Sequence, residues 1–527
     1  MKMLNNSLRP IVFWPSFLVA SGIVVVNLID EASFAAGATA INNVIMANFA
    51  WAFSLLTFII TLIAGYLFFS KVGDVKIGGK DATPMLTKWK WFTITLSTTL
   101  SAGVLFWSTA EPLYYLHQPP ESLGLTPGSF QAALFSLSTV LMHWTYAPYA
   151  IYAVPSVCFA LVFFNLKKPY SLASTIEPAL GHRKIGDKGA QILDSACLFT
   201  LIFGMAATMG TSILILMGGL NYFFDIPTNG FTMGITVIVI TASFVGSAVT
   251  GLHKGITILA KWNSIGLFAI ATLMLFAGPT LFQFAFGVEA FGQFLTNFIN
   301  KLTFTGAASG DQWPKWWSLY YWAIWMAWAP LSALFLGYIA RGYTVKQLII
   351  MTMLLPASFT VLWMWIFGGT AIKWDMDSNN ALYDVLQNQG VENVLYSVFD
   401  KLPATSLLAG VMLLVAFLSF VTSAHSNALV MSQICTRGLS ADNLKANKPL
   451  IVMWGSFVAF ISWAMISFAG IDGIKMVSNL GGVFAILVLV LMSASAVSLA
   501  NDPRILKDRI IRDYEKEAAA LHTQTSK

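Results

Sequence analysis

The chain has 527 residues, of which 57% are hydrophobic and only 10% are charged, and its mean hydropathy is +0.71. Soluble proteins carry about 25% charged residues, so this composition excludes a soluble enzyme and predicts a polytopic membrane protein. The net charge of +6 lies in short loops, where it indicates orientation and not nucleic-acid binding. The three cysteines have no paired spacing and predict neither disulfides nor a metal site. The first apolar run lacks a small-residue cleavage site and is predicted to be a retained span.

Apolar runs predict twelve spans, near 11–29, 47–70, 92–116, 130–165, 189–220, 231–249, 255–285, 316–340, 346–369, 404–430, 449–470 and 477–500. Lysine and arginine recur in alternate loops, such as 71–90 and 167–188. The intervening loops 30–46 and 117–129 contain no lysine or arginine, and the charged residues of loop 370–403 are mostly acidic. Basic residues favour the cytoplasmic side, so both termini are predicted to be cytoplasmic.

The eighth span, within residues 318–342, is unusually rich in aromatic residues. Trp322, Trp325 and Trp328 repeat every third residue, and residues three apart share a face of a helix. Pro330 predicts a bend or an opening just beyond it. Aromatic faces attract cations without a buried carboxylate. The stripe therefore predicts one wall of a site for an organic cation, with plain aromatic packing as the alternative.

The fourth span has a second aromatic group close to Pro148. Its members are Trp144, Tyr146, Tyr149 and Tyr152. His143, beside Trp144, is a lone histidine, which is more often a hydrogen-bonded structural group than a proton carrier.

Polar residues in the third and tenth spans predict a site for a small cation. The centre of the third span, from Ser97 to Gly103, is small and rich in hydroxyls. Such a segment either permits close helix packing or unwinds and turns carbonyls toward an ion. In the tenth span Thr422 and Ser423 offer hydroxyl oxygens, although hydroxyls also bond to neighbouring helices or to their own.

Five stretches, taken together, resemble the betaine/choline/carnitine transporter (BCCT) family along nearly the whole chain. They are VLFWSTAEPL (104–113), HWTYAPYAIYA (143–153), GLHKGI (251–256), YYWAIWMAWAPLSALFLGYIARGYTV (320–345) and FVTSAHS (420–426). The resemblance implies an all-α fold of twelve transmembrane helices, in which spans 3–7 and 8–12 form two inverted five-helix repeats. Such symmetry predicts interrupted third and eighth spans.

The same resemblance implies a division of the chain into five parts. These are two N-terminal helices and a basic loop in 1–90, a first repeat in 91–285, an interfacial amphipathic helix and loop in 286–315, a second repeat in 316–501, and a short cytoplasmic tail in 502–527. It also implies a homotrimer in the bacterial inner membrane.

Carried over residue by residue, the family's substrate-binding aromatic box falls on Trp144, Tyr149, Tyr152 and Trp325, and Trp328 lines the path toward the cytoplasm. Tyr149 and Ile324 stand where the family often has tryptophan, so the resemblance does not determine the identity of the substrate.

The expected sodium ligands are Thr422 and Ser423 together with the third span at Ser97 and Leu100. Sodium-coupled betaine carriers have a glycine-rich run where this chain has residues 99–103, TLSAG. Sodium-independent exchangers place arginine where this chain has Asn263. The resemblance therefore favours sodium coupling and leaves sodium-independent exchange open.

The function predicted from the sequence is import of a small, cationic, methylated onium compound by a secondary transporter in a lipid bilayer. The alternative within transport is exchange of two related onium compounds. The spans contain no cluster of catalytic or metal-ligating residues, and the chain contains no phosphate-binding glycine loop. The sequence therefore predicts neither an enzyme nor a bound cofactor. A metabolite sensor is disfavoured because no soluble signalling domain is evident.

Overall fold

The computed structural model describes residues 8–510 except 101, 182, 251–254, 404 and 441–443. Ser101, most of the GLHKGI stretch and the tail beyond residue 510 therefore lie outside the described residues. Within them the structure is helical, and β-pairing is limited to three isolated bridges.

The helices of the first half are α1 (Pro10–Ile29), α2 (Glu31–Phe69), α3 (Lys88–Thr99), α4 (Ala102–His117), α5 (Phe130–Trp144), α6 (Tyr146–Ala160), α7 (Leu172–Ile176), α8 (Asp187–Phe224), α9 (Gly230–Thr250), α10 (Gly255–Ala277), α11 (Thr280–Thr296) and α12 (Phe298–Leu302). Those of the second half are α13 (Trp313–Trp316), α14 (Ser318–Ile339), α15 (Val345–Ile349), α16 (Leu355–Asp377), α17 (Ala381–Asn388), α18 (Val391–Phe399), α19 (Thr405–Ile434), α20 (Lys448–Ala500) and α21 (Pro503–Leu506). Short 3₁₀ segments occupy Lys71–Asp74, Glu121–Leu123 and Glu177–Leu180, and π-helical turns follow α6 at Leu161–Asn165 and α15 at Ile350–Leu354.

Ten helical segments in the described part of the chain are long and apolar enough to cross a membrane. The predicted first span is a shorter apolar helix, and the predicted third is split between α3 and α4. The eleventh and twelfth predicted spans meet inside α20 at Gly470, whose φ of +53° suits glycine best. The chain is thus a multi-pass helical membrane protein, and the count of twelve spans stays a prediction.

The third span is interrupted, as predicted. α3 ends at Thr99, Leu100 leaves the helical conformation with ψ of 84°, and α4 begins at Ala102. A helix end frees the carbonyls of its last turn. These carbonyls become available to partners from neighbouring helices.

The eighth span was predicted to bend or open beyond Pro330, and the resemblance implied that it is interrupted; the opening and the interruption are wrong. α14 runs without a break from Ser318 to Ile339. Pro330 removes only one backbone donor, and α14 is held on several sides by α6, α8 and α20. The contact with α20 is close, because a Cβ on Gly482 would lie 2.5 Å from the carbonyl oxygen of Ala323.

The fourth span is interrupted instead, immediately after Trp144. Thr145 has φ of −119° and ψ of −122°, which ends α5 and starts α6. Pro148 then lies in the first turn of α6, where its missing N–H costs no helical hydrogen bond. The break therefore has a cause that can be read from the sequence.

Basic loops meet at one end of the molecule. The Ile77 amide donates to the Tyr343 carbonyl, and the Lys76 amide donates to the Asp508 carbonyl. Lys346 also pairs with Asp74 at 3.1 Å. The loops after α2 and α14 therefore lie on the same side as the segment that follows α21, in agreement with the charge pattern of the sequence.

α11 and α12 occupy the region predicted to hold an interfacial helix, although α11 already begins at Thr280, inside the predicted seventh span. α11 packs on α5 and α16 and exposes Leu281, Val288 and Leu295 on its other side. On α12 the Lys301 ammonium bonds to the Thr139 hydroxyl of α5 and lies 4.1 Å from the centre of the Phe135 ring. Burial lowers the pKa of Lys301 from the usual 10.5 to about 7.

This pKa predicts how stability depends on pH. The unfolded chain keeps Lys301 protonated up to about pH 10.5, whereas the folded protein releases the proton near pH 7. Between these values the unfolded state binds more protons, so stability rises with pH. Lys301→Met should raise the melting temperature most at pH 7, and the gain should disappear toward pH 10.5.

Thermal unfolding in detergent across this range measures the effect. Lys373→Met is the control, because the Lys373 ammonium bonds to Asp377 at 2.6 Å. A wild-type pH dependence in Lys301→Met would contradict the prediction.

Candidate functional site

The aromatic rings of α5, α6 and α14 meet around Trp325. The ring centre of Trp325 lies 5.8 Å from that of Trp144, 5.3 Å from that of Tyr149 and 5.2 Å from that of Tyr152. All four side chains are buried. The break after Trp144 and the unbroken helix α14 bring these rings together, and we call the four side chains the aromatic cluster.

Hydrogen bonds at the polar edges hold the surrounding rings in place. The Trp144 indole donates to Oε2 of Glu111 at 2.6 Å, and the Tyr149 hydroxyl bonds to Thr360 at 3.1 Å. Trp328, which the sequence placed on the same face as Trp325, donates to Thr208 at 3.1 Å. Gly204 makes room for it, since a Cβ there would lie 2.8 Å from Cδ1 of Trp328. Such bonds leave the ring faces available for contact.

Within the described residues, the indole nitrogen of Trp325, like that of Trp322, lacks the hydrogen bond that Trp144 and Trp328 make. It is buried and has no hydrogen-bond partner among the residues that the structure describes. A buried donor without a partner is costly, so a ligand or a water molecule would improve this site. Trp322, the third member of the predicted stripe, packs against His143 and does not line the small pocket at Trp325.

Glu111 connects the aromatic cluster to three spans, and the sequence analysis missed it. Its Oε2 accepts from the Tyr321 hydroxyl at 2.6 Å as well as from Trp144, and its Oε1 lies 2.8 Å from Nδ1 of His143. Nε2 of His143 lies 2.9 Å from the Ser318 hydroxyl. Both nitrogens of His143 therefore have partners, in agreement with the structural role predicted for it. The available signal was that Glu111 is the only charged residue of the predicted third span.

Three members of the aromatic cluster, Trp144, Tyr152 and Trp325, line a small pocket of about 30 Å³. Trp328, Ile324 and residues of the third span also line this pocket. This volume has room for about two water molecules. A trimethylammonium group is several times larger than a water molecule, so the rings must separate to admit one.

A much larger cavity, of about 1020 Å³, lies at the end of the molecule opposite to the basic loops. We call this cavity the vestibule. Trp107 and Tyr320 line both the vestibule and the small pocket. These two side chains therefore form the wall between the vestibule and the aromatic cluster.

The interrupted third span contacts the tenth where the sequence predicted an ion site. The Ser423 hydroxyl donates to the freed carbonyl of Thr98 at 3.1 Å, and the Thr98 hydroxyl bonds to Ser426 at 3.1 Å. Thr422 instead donates to the carbonyl of Leu418 in its own helix. Ser423 thus faces the third span directly. The Thr422 hydroxyl instead bonds to its own helix, which is the alternative to ion binding given in the sequence analysis.

Ser97 and Asn263 extend this polar region to the seventh span. The Asn263 amide donates to the Ser97 hydroxyl at 3.2 Å and accepts from Ser419 at 2.9 Å. Asn263 therefore links the third span to the tenth by neutral hydrogen bonds. Leu100, the other predicted ligand of the third span, lies at the break itself.

A bundle of apolar helices that encloses a buried aromatic pocket between interrupted spans defines a multi-pass membrane protein with an internal small-molecule site. The sequence profile of the betaine/carnitine/choline family of transporters matches residues 11–504. The chain belongs to this family, and it is accordingly a transporter and not an enzyme.

Three characterised relatives are similar along almost their full length. The chain is 26% identical over 493 residues to an ectoine/hydroxyectoine transporter of Virgibacillus pantothenticus, covering 94% of this chain and 97% of the relative. It is also 26% identical to the glycine betaine transporter OpuD of Bacillus subtilis, covering 94% and 95%. Similarity to an osmo-independent choline transporter of Acinetobacter baylyi is again 26%, covering 94% of both chains.

The hydrogen bonds of Glu111 predict that it positions the Trp144 ring. Glu111→Gln removes the negative charge and turns one acceptor oxygen into a donor, so the bonds from Trp144 and Tyr321 lose their charge assistance or, if the amide is reversed, their acceptor. Such a loss costs about 1–3 kcal/mol. Part of this cost should appear as about tenfold weaker binding of a transported substrate, measured by tryptophan fluorescence in detergent.

The control is Asp375→Asn, which alters another buried carboxylate–histidine pair, 2.6 Å from His117 and outside the pocket. This variant should lower thermal stability but retain the substrate affinity. Equal losses of affinity in both variants would show that Glu111 acts through general stability only.

Proposed function

We propose that the protein is a secondary transporter that imports quaternary ammonium or related methylated onium compounds, and that the aromatic cluster binds their cationic head. The convergence of three rings on Trp325 is the observation that carries this proposal. The relatives named for betaine and choline transport support it, because both of these compounds carry a trimethylammonium group.

Cation–π attraction explains why aromatic side chains suit this role. Each ring face offers negative potential, and a desolvated contact contributes about 2 kcal/mol. The methyl groups of an onium head cannot donate strong hydrogen bonds, so the rings satisfy both its charge and its apolar surface. Glu111, hydrogen-bonded to Trp144, places the one carboxylate of the third span beside these rings.

Substrate binding is expected to separate the rings, because the pocket at Trp325 is closed around about 30 Å³. The vestibule supplies the approach, and displacement of Trp107 or Tyr320 would connect it to the aromatic cluster. Closure of this wall behind the substrate, followed by opening past Trp328, would give alternating access to the two sides of the membrane.

We propose sodium as the coupling ion, bound between the third and tenth spans. Ser423 and the freed carbonyl of Thr98 already face each other there, and Ser97 and Leu100 are neighbours in the third span. Thr422 could join them if its hydroxyl turned away from Leu418. A neutral Asn263 leaves the region without a fixed cation, which favours ion binding over sodium-independent exchange.

The remaining features of the proposal follow the family and the charge pattern. Both termini lie in the cytoplasm, the membrane is the bacterial inner membrane, and spans 3–7 and 8–12 are the two inverted repeats. The five-part division of the chain follows from these two repeats. The exposed apolar side of α11 is consistent with a trimer contact.

The central test is a substitution of Trp325. Trp325→Leu removes the ring on which the others converge and should weaken binding of glycine betaine or choline at least tenfold. Trp325→Phe keeps a smaller aromatic face and should lose less. Equilibrium binding to the purified protein measures both variants.

Trp363→Leu is the matched control, since Trp363 is buried and stacks on Phe367 away from the small pocket. An unchanged dissociation constant in Trp325→Leu, or an equal loss in Trp363→Leu, would contradict the role of the aromatic cluster.

The coupling proposal is tested separately. Uptake into proteoliposomes should rise with an inward sodium gradient, and the double variant Thr422→Ala and Ser423→Ala should abolish this stimulation because it removes both hydroxyl ligands. Ser462→Ala is the control, because its buried hydroxyl lies on α20 outside the pocket. Equal uptake with sodium or potassium, unchanged in the double variant, would indicate exchange or uniport.

A further inference from the structure

The vestibule contains a cation that the proposed binding of an onium head does not use. Lys475, on α20, lines the vestibule and is partly exposed to it. Its ammonium lies 4.3 Å from the ring centre of Trp317 and 5.9 Å from that of Tyr320. These contacts hold the charge at the wall between the vestibule and the aromatic cluster.

In the described part of the chain, the Lys475 ammonium has no anionic partner in direct contact. Among the residues that the structure describes, none forms an ion pair or a hydrogen bond with its side chain. Asp472, one helical turn away, and Glu111 are the carboxylates within electrostatic range. An ammonium held by aromatic faces alone retains donors that an incoming anion can use.

We propose that Lys475 binds the carboxylate of the substrate in the vestibule, and that the protein therefore selects zwitterionic onium carboxylates over purely cationic onium compounds. This inference rests on the proposed function and specifies its substrate class. A zwitterion presents an anion to Lys475 and a cationic head to aromatic rings. A substrate without a carboxylate makes no such contact with the lysine.

The position of Lys475 makes this discrimination effective. Tyr320 contacts the lysine on one side and lines the small pocket on the other. A carboxylate bound at Lys475 would thus hold the attached head close to the entrance of the aromatic cluster. Family membership does not decide the matter, because the relatives include both a betaine transporter and a choline transporter.

Glycine betaine and choline form a matched pair of probes, because they share the trimethylammonium head and differ in a carboxylate or a hydroxymethyl group. The measurement is the apparent affinity of each compound, obtained from competition against uptake of a labelled transported substrate in proteoliposomes. The wild type should bind betaine at least tenfold more tightly than choline. A hydrogen bond to a charged group supports a preference of about this size.

Three variants make the test specific. Lys475→Met removes the charge but keeps an unbranched side chain, and it should weaken betaine binding about tenfold while changing choline binding less than twofold. Lys475→Arg retains the charge and should retain the preference. Lys315→Gln removes another positive charge from the same vestibule, where Lys315 bonds to Gln312 at 2.9 Å, and should change the betaine-to-choline ratio less than twofold.

The possible failures are distinguishable. Absence of uptake of any onium compound by the wild type would reject the proposed function, and the inference with it. Transport with a wild-type preference for choline, or with parallel losses for both probes in Lys475→Met, would reject only the role of Lys475. If Lys475→Met does not fold, Lys475→Arg decides the matter. Loss of the preference for betaine in this variant, with intact choline uptake, would also contradict the role of Lys475.

Discussion

The structure depends on polar partners that hold the aromatic rings by their edges, while the ring faces pack on one another around a small pocket. Trp144 is fixed by Glu111, Tyr149 by Thr360 and Trp328 by Thr208. In a membrane interior each such polar edge needs a partner from the protein. The partners come from the third, fifth and ninth predicted spans, so the cluster also ties distant parts of the chain together. A ligand contacts the faces and not these polar edges, and its size requires the rings to move apart.

Interrupted helices place the two sites close together. The break after Trp144 sets the angle between α5 and α6, and the break at Leu100 frees the Thr98 carbonyl for Ser423. The third span therefore participates in both sites, through Glu111 near the aromatic cluster and through Thr98 near the polar region. An ion that orders one half of this span would favour substrate binding at the other half. Because of thermodynamic linkage, bound substrate would favour ion binding equally. This geometry gives a physical route for coupling.

Much of this arrangement could be predicted from local patterns, and the rest depends on tertiary contacts. Tryptophans three residues apart identified the Trp325 face, and the small, hydroxyl-rich centre of the third span identified its break. The opening predicted at Pro330 was wrong because packing around α14 outweighs one lost hydrogen bond. The break at Thr145 was missed, although Pro148 fits the first turn of a new helix. Lys475 could not be assigned a role, because its contact with Trp317 joins residues about 160 positions apart in the sequence.

The central claim is that the rings around Trp325 bind the cationic head of the substrate. Cryo-electron microscopy of the protein in lipid nanodiscs, with and without glycine betaine, tests it most directly. The account predicts new density for the trimethylammonium group within about 6 Å of the Trp325 ring centre, together with separation of Trp144 and Tyr152 from Trp325. Ligand density confined to another part of the molecule, with the four rings in their present contacts, would contradict it.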